Sequence, residues 1–520
     1  MKKRIIARLD VKGPNVIKGI QFECLRVMGK PEDLAREYYL QGADELIYLD
    51  TVASLYQRNN LLNIVRQASE NIFIPFTAGG GVRSISDIRS LLSAGAEKVA
   101  INTAATKNPN LIRQAARMFG SQCIVLSIEA KQIAPGRWEA YTDNGRNRTG
   151  LDVLKWAKRA ESLGAGEILL TSVDMEGTER GLDSELAKQV VKAVSIPVII
   201  SGGAGSPKDI SECFEQSSAD AIALASLLHY GKCGVDDIKR ELVKNKLDVR
   251  VTENFSKNKN KKGQNYDLGN YNKYTLQHLS GVTGSAANKI EEKDFLNFEK
   301  DYPKSPADIG IIDYKVNNVR SVLRAFQKIG KKVSIVETPA ELKKMKAIVL
   351  PGVGSFGEGM RALSTAHLVE PLKEHVKQGK PILGLCLGMQ MLFSESLEFG
   401  KHKGLDLIAG KVVPLKPVSE VKVIGYKLPH IGWNDIRPRK KALASSLTYG
   451  LGNPASVYFV HSFYPSPAKK SVVLATTKYG GQEFCSIVHK DNIMGTQFHP
   501  EKSGEVGLGI LKQFCELAKV

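Results

Sequence analysis

The chain has 520 residues, which is too long for a single hydrophobic core and predicts two or three domains. Its 42% apolar and 24% charged residues are typical of a globular protein, and no apolar run reaches the roughly 18 residues that a membrane span needs. The seven scattered cysteines contain no Cys-X-X-Cys pair, which disfavours a disulfide framework or a zinc site.

The net charge of +19 is large enough to suggest a nucleic-acid partner. The lysines and arginines are spread along the chain, however, and no DNA- or RNA-binding motif is present. Phosphorylated small-molecule substrates and a basic linker account for the charge better. The N-terminus leads directly into an apolar strand instead of a signal peptide, which predicts a cytoplasmic protein. We expect no metal, no cofactor and no membrane or nucleic-acid partner.

Apolar segments of strand length alternate with helical patterns throughout residues 1–250. The eight segments are Arg4–Leu9, Glu45–Leu49, Ile74–Thr77, Lys98–Ile101, Cys123–Ile128, Glu167–Thr171, Val198–Ile200 and Ala221–Ala225. Eight strands separated by helices over this length predict a (β/α)₈ barrel, with an open doubly wound sheet as the alternative.

The two halves of this domain repeat each other. Ala7–Lys12 aligns with Leu126–Lys131, and Ile74–Gly81 aligns with Ile196–Gly203, in each case roughly 120 residues later. The repeat indicates two half-barrels of four strands each. Any ligand site at the strand ends should therefore have approximate two-fold symmetry.

Asp10 and Glu129 occupy equivalent positions in the repeat, at the ends of the first and fifth predicted strands. Two carboxylates that face each other across a barrel mouth can divide general acid and general base catalysis. In the structural alternative, both residues cap loops or pair with Lys12 and Lys131.

Two glycine turns also repeat, each directly after a strand, at Gly79–Ser84 and at Ser201–Ser206. Backbone amides in such turns bind phosphate, although one Gly-Gly pair alone would indicate only a tight turn. Because both halves carry the turn, we predict a substrate with a phosphate at each end. The candidate ligands are Gly80, Gly81, Asn102, Thr103, Gly202, Gly203, Ser226 and Lys18.

A change in composition separates this domain from the rest of the chain. Glu253–Asn272 is rich in lysine and asparagine and predicts a flexible tether, and Tyr274–Phe298 has enough apolar residues for a short surface helix. We therefore predict domains at 1–250 and 307–520 with a basic linker at 251–306.

The C-terminal part alternates strand-like and helical segments and predicts an open α/β sheet. The predicted strands are Asp308–Ile312, Lys332–Ile335, Ala347–Leu350 and Ile382–Leu385, and further β segments are predicted at Tyr426–Trp433 and Ser456–Tyr464. The first helix is predicted at Val319–Ile329.

A cysteine flanked by glycines follows the fourth of these strands, within Gly384–Gly388. This pattern is typical of a sharp strand-to-helix turn that presents a nucleophile, here Cys386, although a buried structural cysteine is the alternative. His499 can take the thiol proton, and Glu501 can orient the imidazole. The glycine-rich turn Pro351–Gly357 can supply amides for an oxyanion hole.

With these motifs, the chain from about Asp308 to Val520 resembles the class I glutamine amidotransferases, in particular the glutaminase subunit of imidazole glycerol phosphate synthase. The resemblance implies that Cys386 attacks the glutamine side-chain amide and releases ammonia through a thioester, with His499 and Glu501 completing a triad. The implied oxyanion-hole residues are Gly352, Val353 and Leu387, and the implied glutamine contacts are Gly354 and Gln390.

The N-terminal domain resembles the cyclase subunit of the same synthase. The matching segments are Leu9–Lys12, Gly79–Ser84, Leu170–Asp174, Gly177–Thr178 and Ser201–Gly205. That family uses ammonia to convert a bisphosphorylated formimino-carboxamide ribonucleotide (PRFAR) into imidazole glycerol phosphate and aminoimidazole carboxamide ribotide (AICAR). Asp10 matches one of its two catalytic aspartates, Glu129 stands at the position of the second, and Asp174 is implied as a substrate-binding residue.

The sequence departs from the cyclase family around the barrel mouth. Glu129 replaces the aspartate, Arg8 replaces the usual cysteine, Pro14–Asn15 replaces Asp-Gly and Met175–Glu176 replaces Arg-Asp. Displacing a catalytic group by about 1 Å can cost on the order of 100-fold in rate. A similar pair of proteins that supplies ammonia to a sugar amidotransferase is therefore the alternative, and a non-catalytic regulatory scaffold, which the two phosphate turns disfavour, is the third interpretation.

Four charged residues precede or begin strands at the floor of the predicted barrel. They are Arg4, Glu45, Lys98 and Glu167. Alternating charges can simply close the floor, but the resemblance implies a gate on a channel that carries ammonia from the glutaminase to the mouth. It also places Glu97 near Lys502 across the domain interface. For His430 and His461 we favour structural or interface roles over catalysis.

Overall fold

The computed structural model describes residues 1–51, 61–252, 307–315, 318–416, 426–439 and 446–520. The predicted tether at Glu253–Asn272 and the predicted helix at Tyr274–Phe298 lie outside these ranges. The domain boundaries within 251–306 therefore stay a prediction.

Eight parallel strands of the N-terminal domain form a closed ring. The described residues of the domain form twelve strands in all. In chain order they are β1 (Arg4–Lys12), β2 (Asn15–Ile20), β3 (Glu23–Gly29), β4 (Glu45–Asp50), β5 (Phe76–Gly79), β6 (Lys98–Ile101), β7 (Ile124–Ala134), β8 (Arg137–Thr142), β9 (Asn147–Asp152), β10 (Glu167–Ser172), β11 (Val198–Ser201) and β12 (Ala221–Leu224). The ring runs β1-β4-β5-β6-β7-β10-β11-β12 and closes by parallel pairing of β12 with β1. The predicted (β/α)₈ barrel is confirmed.

Helices cover the outside of the ring. They are α1 (Pro31–Leu40), α2 (Leu61–Ser69), α3 (Ile85–Ser93), α4 (Thr103–Lys107), α5 (Asn110–Phe119), α6 (Val153–Leu163), α7 (Ser184–Ala193), α8 (Pro207–Ser217), α9 (Ser226–His229) and α10 (Val235–Lys244). Ser84 and Ser206 begin α3 and α8 with the same capping box, in which each serine and an aspartate three residues later satisfy each other's backbone amides. The half-barrel repeat thus extends to the helix that follows each glycine turn.

Two hairpins that the sequence analysis missed extend the mouth of the barrel. β1 runs past the barrel and pairs with β2 through Val11 and Val16, and β7 pairs with β8 through Glu129 and Tyr141. Asp10 and Glu129 therefore lie inside long strands and not at strand ends. Backbone pairing in the hairpins lengthens both strands beyond their apolar segments.

The C-terminal domain is built on a nine-stranded sheet. The strands of the domain are β13 (Ile309–Ile312), β14 (Val333–Val336), β15 (Ala347–Leu350), β16 (Ile382–Leu385), β17 (Phe393–Ser396), β18 (His402–Lys403), β19 (Ile408–Pro414), β20 (His430–Pro438), β21 (Ala455–His461), β22 (Phe463–Pro467), β23 (Val473–Tyr479), β24 (Gln482–Lys490) and β25 (Ile493–Thr496). Its helices are α11 (Val319–Lys328), α12 (Pro339–Lys344), α13 (Phe356–Thr365), α14 (Val369–Lys377), α15 (Leu387–Met391) and α16 (Gly504–Leu517). The large sheet has the order β14-β13-β15-β16-β25-β24-β23-β20-β21, and β18-β17-β19-β22 form a second sheet. The predicted α/β class is confirmed.

The C-terminal domain packs on the floor of the barrel, where the strands begin. Trp433 Nε1 donates to the carbonyl oxygen of Asp44, which precedes β4, at 3.0 Å. The amide of Gly504 donates to the carbonyl of Phe73 at 3.0 Å. Trp433 and Tyr458 belong to the same buried apolar cluster as the barrel helices, so apolar packing is continuous across the interface. Within the described residues, the structure contains no helix that is both long and apolar enough to cross a membrane.

Candidate functional site

Cys386 occupies a strained turn between β16 and α15. Its backbone has φ +50° and ψ −107°, a combination that non-glycine residues rarely adopt and that often marks a functional site. A Cβ atom on Gly388 would lie 1.8 Å from the carbonyl oxygen of Leu350, and one on Gly384 would lie 2.7 Å from Met389. The two glycines are therefore required by close packing around the turn.

The sheet brings the three predicted triad residues together. β16 and β25 are parallel neighbours, and the amide of Cys386 donates to the carbonyl of Thr496 at 2.8 Å. His499 follows β25 and Glu501 lies one turn further on, where Glu501 Oε1 is 2.7 Å from His499 Nδ1. The other ring nitrogen, Nε2, is buried and has no hydrogen-bond partner among the described residues. It is the nitrogen available to the thiol of Cys386.

The electrostatics of the triad favour charge separation. Burial acts to lower the pKa of His499, but Cys386 and Glu501 outweigh it and hold that pKa well above the usual histidine value. A protonated imidazole beside Cys386 stabilises the thiolate, which is the nucleophilic form.

Cys386 and His499 line a cavity of about 20 Å³ between the two domains. The C-terminal domain contributes the predicted Val353, Gly354, Leu387 and Gln390 to its wall, and the barrel floor contributes Glu97, Gln122 and Cys123. A Cβ atom on Gly352 would lie 2.8 Å from Leu387 Cβ, so the glycine turn packs directly against the nucleophile turn. The structure thus gathers every residue predicted for the amidotransferase site.

Two polar side chains near Cys386, Glu398 and Gln497, were not among the predicted site residues. Glu398 is buried, burial raises its pKa to about 7, and its Oε2 accepts a hydrogen bond from the amide of Phe356 at 2.6 Å. Gln497 Nε2 lies 3.6 Å from the sulfur of Cys386. Gln497 sits in the segment that carries His499, which is the one signal that could have identified it. Nothing in the sequence distinguishes Glu398 from nearby Glu395, which pairs with surface lysines.

A second cavity, of about 540 Å³, opens at the mouth of the barrel. Its wall contains the predicted Gly80, Gly81, Asn102, Thr103 and Glu129. Burial raises the pKa of Glu129 to about 7, against the hydrogen bond that its Oε2 accepts from the amide of Gly145 at 2.7 Å.

Arg8 lies at the centre of this mouth. Its Nε donates to Asp10 Oδ1 at 2.9 Å, and its Nη1 donates to Thr171 and Ser201 at 2.9 and 3.1 Å. The lysine pairing in the structural alternative is not observed, since Asp10 pairs with Arg8 instead of Lys12, and Lys131 lies over the ring of Tyr141. The loop-capping role in that alternative is observed for Glu129, which accepts the amide hydrogen of Gly145. Arg8 thus provides the cation that holds Asp10.

The predicted residues of the second half-barrel meet in a smaller cavity of about 20 Å³. Gly202, Gly203, Ser226 and Lys18 line it. Gly202 and Gly80 have nearly the same φ, +96° and +99°, as the repeat requires. Lys18 is not free at this turn because it pairs with Glu176.

Asp174 does not line this smaller cavity, because its side chain is hydrogen-bonded to the backbone of β7. Its Oδ2 accepts the amide hydrogen of Gln132 at 2.7 Å. It lines neither mouth cavity and ties the loop after β10 to the extended β7.

Comparison with known proteins agrees with this geometry. The model of the histidine biosynthesis protein family matches residues 4–234, and that of the class-I glutamine amidotransferases matches residues 310–517. The imidazole glycerol phosphate synthase subunit HisF of Legionella pneumophila is 66% identical over 202 residues, covering 39% of this chain and 95% of that protein. The chain belongs to the HisF family. HisF of Lactococcus lactis subsp. cremoris (strain SK11) is 48% identical over 252 residues, 48% of this chain and 97% of that protein.

In this HisF domain the four predicted gate residues form a closed ring of ion pairs at the floor. Arg4 contacts Glu45 and Glu167 at 2.8 and 2.7 Å, and Lys98 contacts the same two carboxylates at 2.7 and 2.6 Å. All four side chains are fully buried. Burial opposes ionisation, but the carboxylates hold the pKa of Arg4 well above its usual value, and Arg4 and Lys98 lower that of Glu45.

Glu97 of the HisF domain and Lys502 of the amidotransferase domain form a buried ion pair of 3.0 Å. Glu97 also accepts hydrogen bonds from the amide of Phe76 at 2.9 Å and from Asn318 Nδ2 at 3.0 Å. Burial raises the pKa of Glu97, and Lys502 opposes that shift. Since Lys502 directly follows Glu501, the pair links the barrel floor to the triad.

His430 and His461 form a buried pair outside the triad. His430 Nδ1 and His461 Nε2 are 2.9 Å apart, and His461 Nδ1 is 2.9 Å from the carbonyl oxygen of Phe463, to which it donates. Burial lowers the pKa of His461 to about 3 and that of His430 well below its usual value, so both rings are neutral. His461 lines the cavity of Cys386, but its nitrogens are already paired, which fits the structural role predicted for it.

Proposed function

We propose that this chain is a bifunctional enzyme that hydrolyses glutamine in its C-terminal domain and uses the ammonia in its barrel to convert PRFAR into imidazole glycerol phosphate and AICAR. The observation that carries the proposal is that Cys386 opens into a cavity whose opposite wall is the barrel floor. Ammonia released there lies next to the barrel floor. A cytoplasmic location is part of the proposal.

In the reactive state, His499 holds the proton of the Cys386 thiol, and Glu501 orients the imidazole. The sulfur bonds to the amide carbon, and the resulting oxyanion accepts hydrogen bonds from backbone amides at Val353 and Leu387. The C–N bond breaks as His499 returns the proton to the leaving nitrogen, which departs as ammonia. Water then transfers a proton to His499 and cleaves the thioester, which releases glutamate and restores the thiol.

The cavity also supplies groups that recognise glutamine. One carboxylate oxygen of Glu398 accepts the amide hydrogen of Phe356. The other oxygen can accept a hydrogen bond from the α-ammonium of glutamine, whose positive charge would keep this carboxyl group ionised. Gln390, through hydrogen bonds to the carbonyl of Phe463 and to Gln497, fixes the wall beside Cys386. The small volume implies that the wall moves when glutamine enters.

Ammonia then has to pass the ring of Arg4, Glu45, Lys98 and Glu167. In the structure all four ion pairs are formed, so the floor is closed. Removing one partner of a buried pair leaves an uncompensated charge and costs several kcal/mol, roughly 3–5. We infer that the passage opens only when binding at either site provides that energy.

At the mouth, the two glycine turns hold the phosphates of the acceptor between them. Asp10, whose carboxylate is paired with the Arg8 guanidinium, is suited to act as general base. Glu129, whose pKa is raised to about 7, is protonated in a large fraction of molecules at neutral pH and is suited to act as general acid. The two carboxyl groups thus divide the acid and base steps of the cyclisation.

A second candidate function keeps the glutaminase and passes ammonia to a separate sugar amidotransferase. The specific observation in its favour is Arg8, which replaces a small side chain at the centre of the mouth and contacts Asp10, Thr171 and Ser201. A guanidinium at that position alters the space and charge available to PRFAR.

The test supplies purified protein with PRFAR and ammonium chloride and follows the loss of PRFAR absorbance. Turnover in the wild type that disappears in Asp10→Asn supports the synthase. Glutamine hydrolysis without any PRFAR turnover supports the ammonia-supplying function. Absence of both activities would contradict both proposals and favour a regulatory scaffold.

A further inference from the structure

The carboxylate of Glu176 lies against the second glycine turn of the barrel, Ser201–Ser206. Glu176 Oε2 lies 3.1 Å from the position that a Cβ atom on Gly202 would take, so it rests directly on the glycine turn. A carboxylate and a phosphate share negative charge and acceptor oxygens, which are the features that such turns bind. Glu176 is therefore in the position of a bound anion.

Lys18 completes the arrangement. Its Nζ donates to Glu176 Oε1, and both side chains are almost fully buried, with 3% and 2% of their surface exposed. Burial lowers the pKa of Lys18 to about 8, while Asp10 acts to raise it. Lys18 is the cation that the sequence places at the second phosphate turn, and in the structure its charge is already matched by Glu176.

The backbone holds Glu176 on the turn. The carbonyl of Glu176 accepts the amide hydrogen of Gln21 at 2.8 Å, and a Cβ atom on Gly177 would lie 2.3 Å from the carbonyl of Gly19. The loop after β10 is thus packed against the β2–β3 hairpin that carries Lys18. This close fit leaves a cavity of only about 20 Å³ at the turn.

We propose that Glu176 is an internal occupant of the second phosphate site, which a substrate phosphate must displace from Lys18 and Gly202 before it can bind. A substrate with phosphates at both ends exchanges its second phosphate for Glu176, whereas a substrate with one phosphate leaves the Lys18–Glu176 pair intact. Glu176 therefore weakens binding at this turn and selects for a substrate whose second end is strongly anionic.

The test is titration of the full-length protein with inorganic phosphate in a calorimeter. Glu176→Gln keeps the shape of the side chain and removes its charge, so we expect phosphate to bind on the order of 10-fold more tightly than in the wild type. Glu176→Asp, which withdraws the carboxylate by one methylene, should give a smaller gain in the same direction and serves if Glu176→Gln is unstable. In the double variant with Lys18→Gln the gain should disappear, which assigns it to this turn.

Glu179→Gln is the matched control. Glu179 lies on the same loop and lines the same small cavity, but it pairs with Lys232 and not with Lys18. We expect its phosphate affinity to stay within about two-fold of the wild type, because only long-range charge is removed. Equal affinities in Glu176→Gln and Glu179→Gln, or a gain that persists in the double variant, would overturn the proposal. Phosphate binding requires no turnover, so the result is independent of the proposed function.

Discussion

The cavity at Cys386 and the larger cavity at the barrel mouth differ in size and in the residues that line them. The cavity at Cys386 has about 20 Å³ and is lined by residues of both domains, whereas that at Glu129 has about 540 Å³ and is lined by the barrel alone. An ammonia-producing site gains from exclusion of water, which would protonate or dilute its product. An acceptor site must admit a large phosphorylated molecule from solvent. The difference in volume fits a small product at the first cavity and a large phosphorylated acceptor at the second.

Cys386→Ala is expected to have the largest effect, and it tests whether glutamine hydrolysis and the barrel reaction occur at separate sites. Loss of the nucleophile should reduce glutamine-dependent turnover on the order of 10⁴-fold or more and leave turnover on ammonium salts unchanged. Cys123→Ala is the control, because Cys123 lines the same cavity but burial raises its pKa to about 12 and keeps it a thiol. Loss of ammonium-dependent turnover in Cys386→Ala would contradict the assignment of two separate sites.

The next effect is expected at the mouth. Asp10→Asn should lower ammonium-dependent turnover by roughly 100- to 10,000-fold, because the amide cannot accept a proton. Arg8 would then lose its ionic partner, so the variant should be checked for a normal thermal midpoint. Glutamine hydrolysis, measured as glutamate release without acceptor, should be the same as in the wild type. A rate unchanged by Asp10→Asn would exclude Asp10 as the base.

The pH dependence of the barrel reaction tests the role of Glu129. Its raised pKa of about 7 means that the protonated acid is present below pH 7 and is lost as the pH rises. At constant free ammonia, turnover should fall about ten-fold per pH unit above pH 7. Lys18, with a pKa of about 8, loses its charge at higher pH and should give a second, separate midpoint in the pH dependence of turnover. If Glu129→Gln retains activity and its turnover still falls above pH 7 as in the wild type, that fall is caused by another titrating group.

Several elements of this comparison could be predicted from sequence, because their signals are local. The strands that begin at Arg4, Glu45, Lys98 and Glu167 each start with a charge and continue as an apolar run, so both their type and their first residue are correct. The triad was predictable because a glycine-flanked cysteine is constrained by the turn that it must form.

Other features depend on contacts between distant segments. Glu395 and Glu398 are three residues apart, yet packing buries one and exposes the other to lysines. Arg8 is held beside Asp10 by Thr171 and Ser201, which lie on β10 and β11, three and two strands away from β1 in the ring. No spacing in the sequence encodes this arrangement. The hairpins escaped prediction because backbone pairing continues β1 and β7 beyond their apolar segments.

The smallest effect is expected at the interface that separates the two cavities. Asn318→Ala removes the hydrogen bond from Nδ2 to the buried carboxylate of Glu97 and the N-cap hydrogen bond that Oδ1 accepts from the amide of Ser321. Together these losses should cost about 2 kcal/mol and lower the thermal midpoint by roughly 4–8 °C. Lys502 still pairs with Glu97 in this variant, so glutamine hydrolysis should fall only about two- to five-fold. Asn245→Ala, which removes hydrogen bonds to Ser211 and Glu241 on the barrel surface, is the matched control. It should lower the midpoint without changing hydrolysis. Equal effects of both variants on hydrolysis would show that the barrel floor does not support the triad.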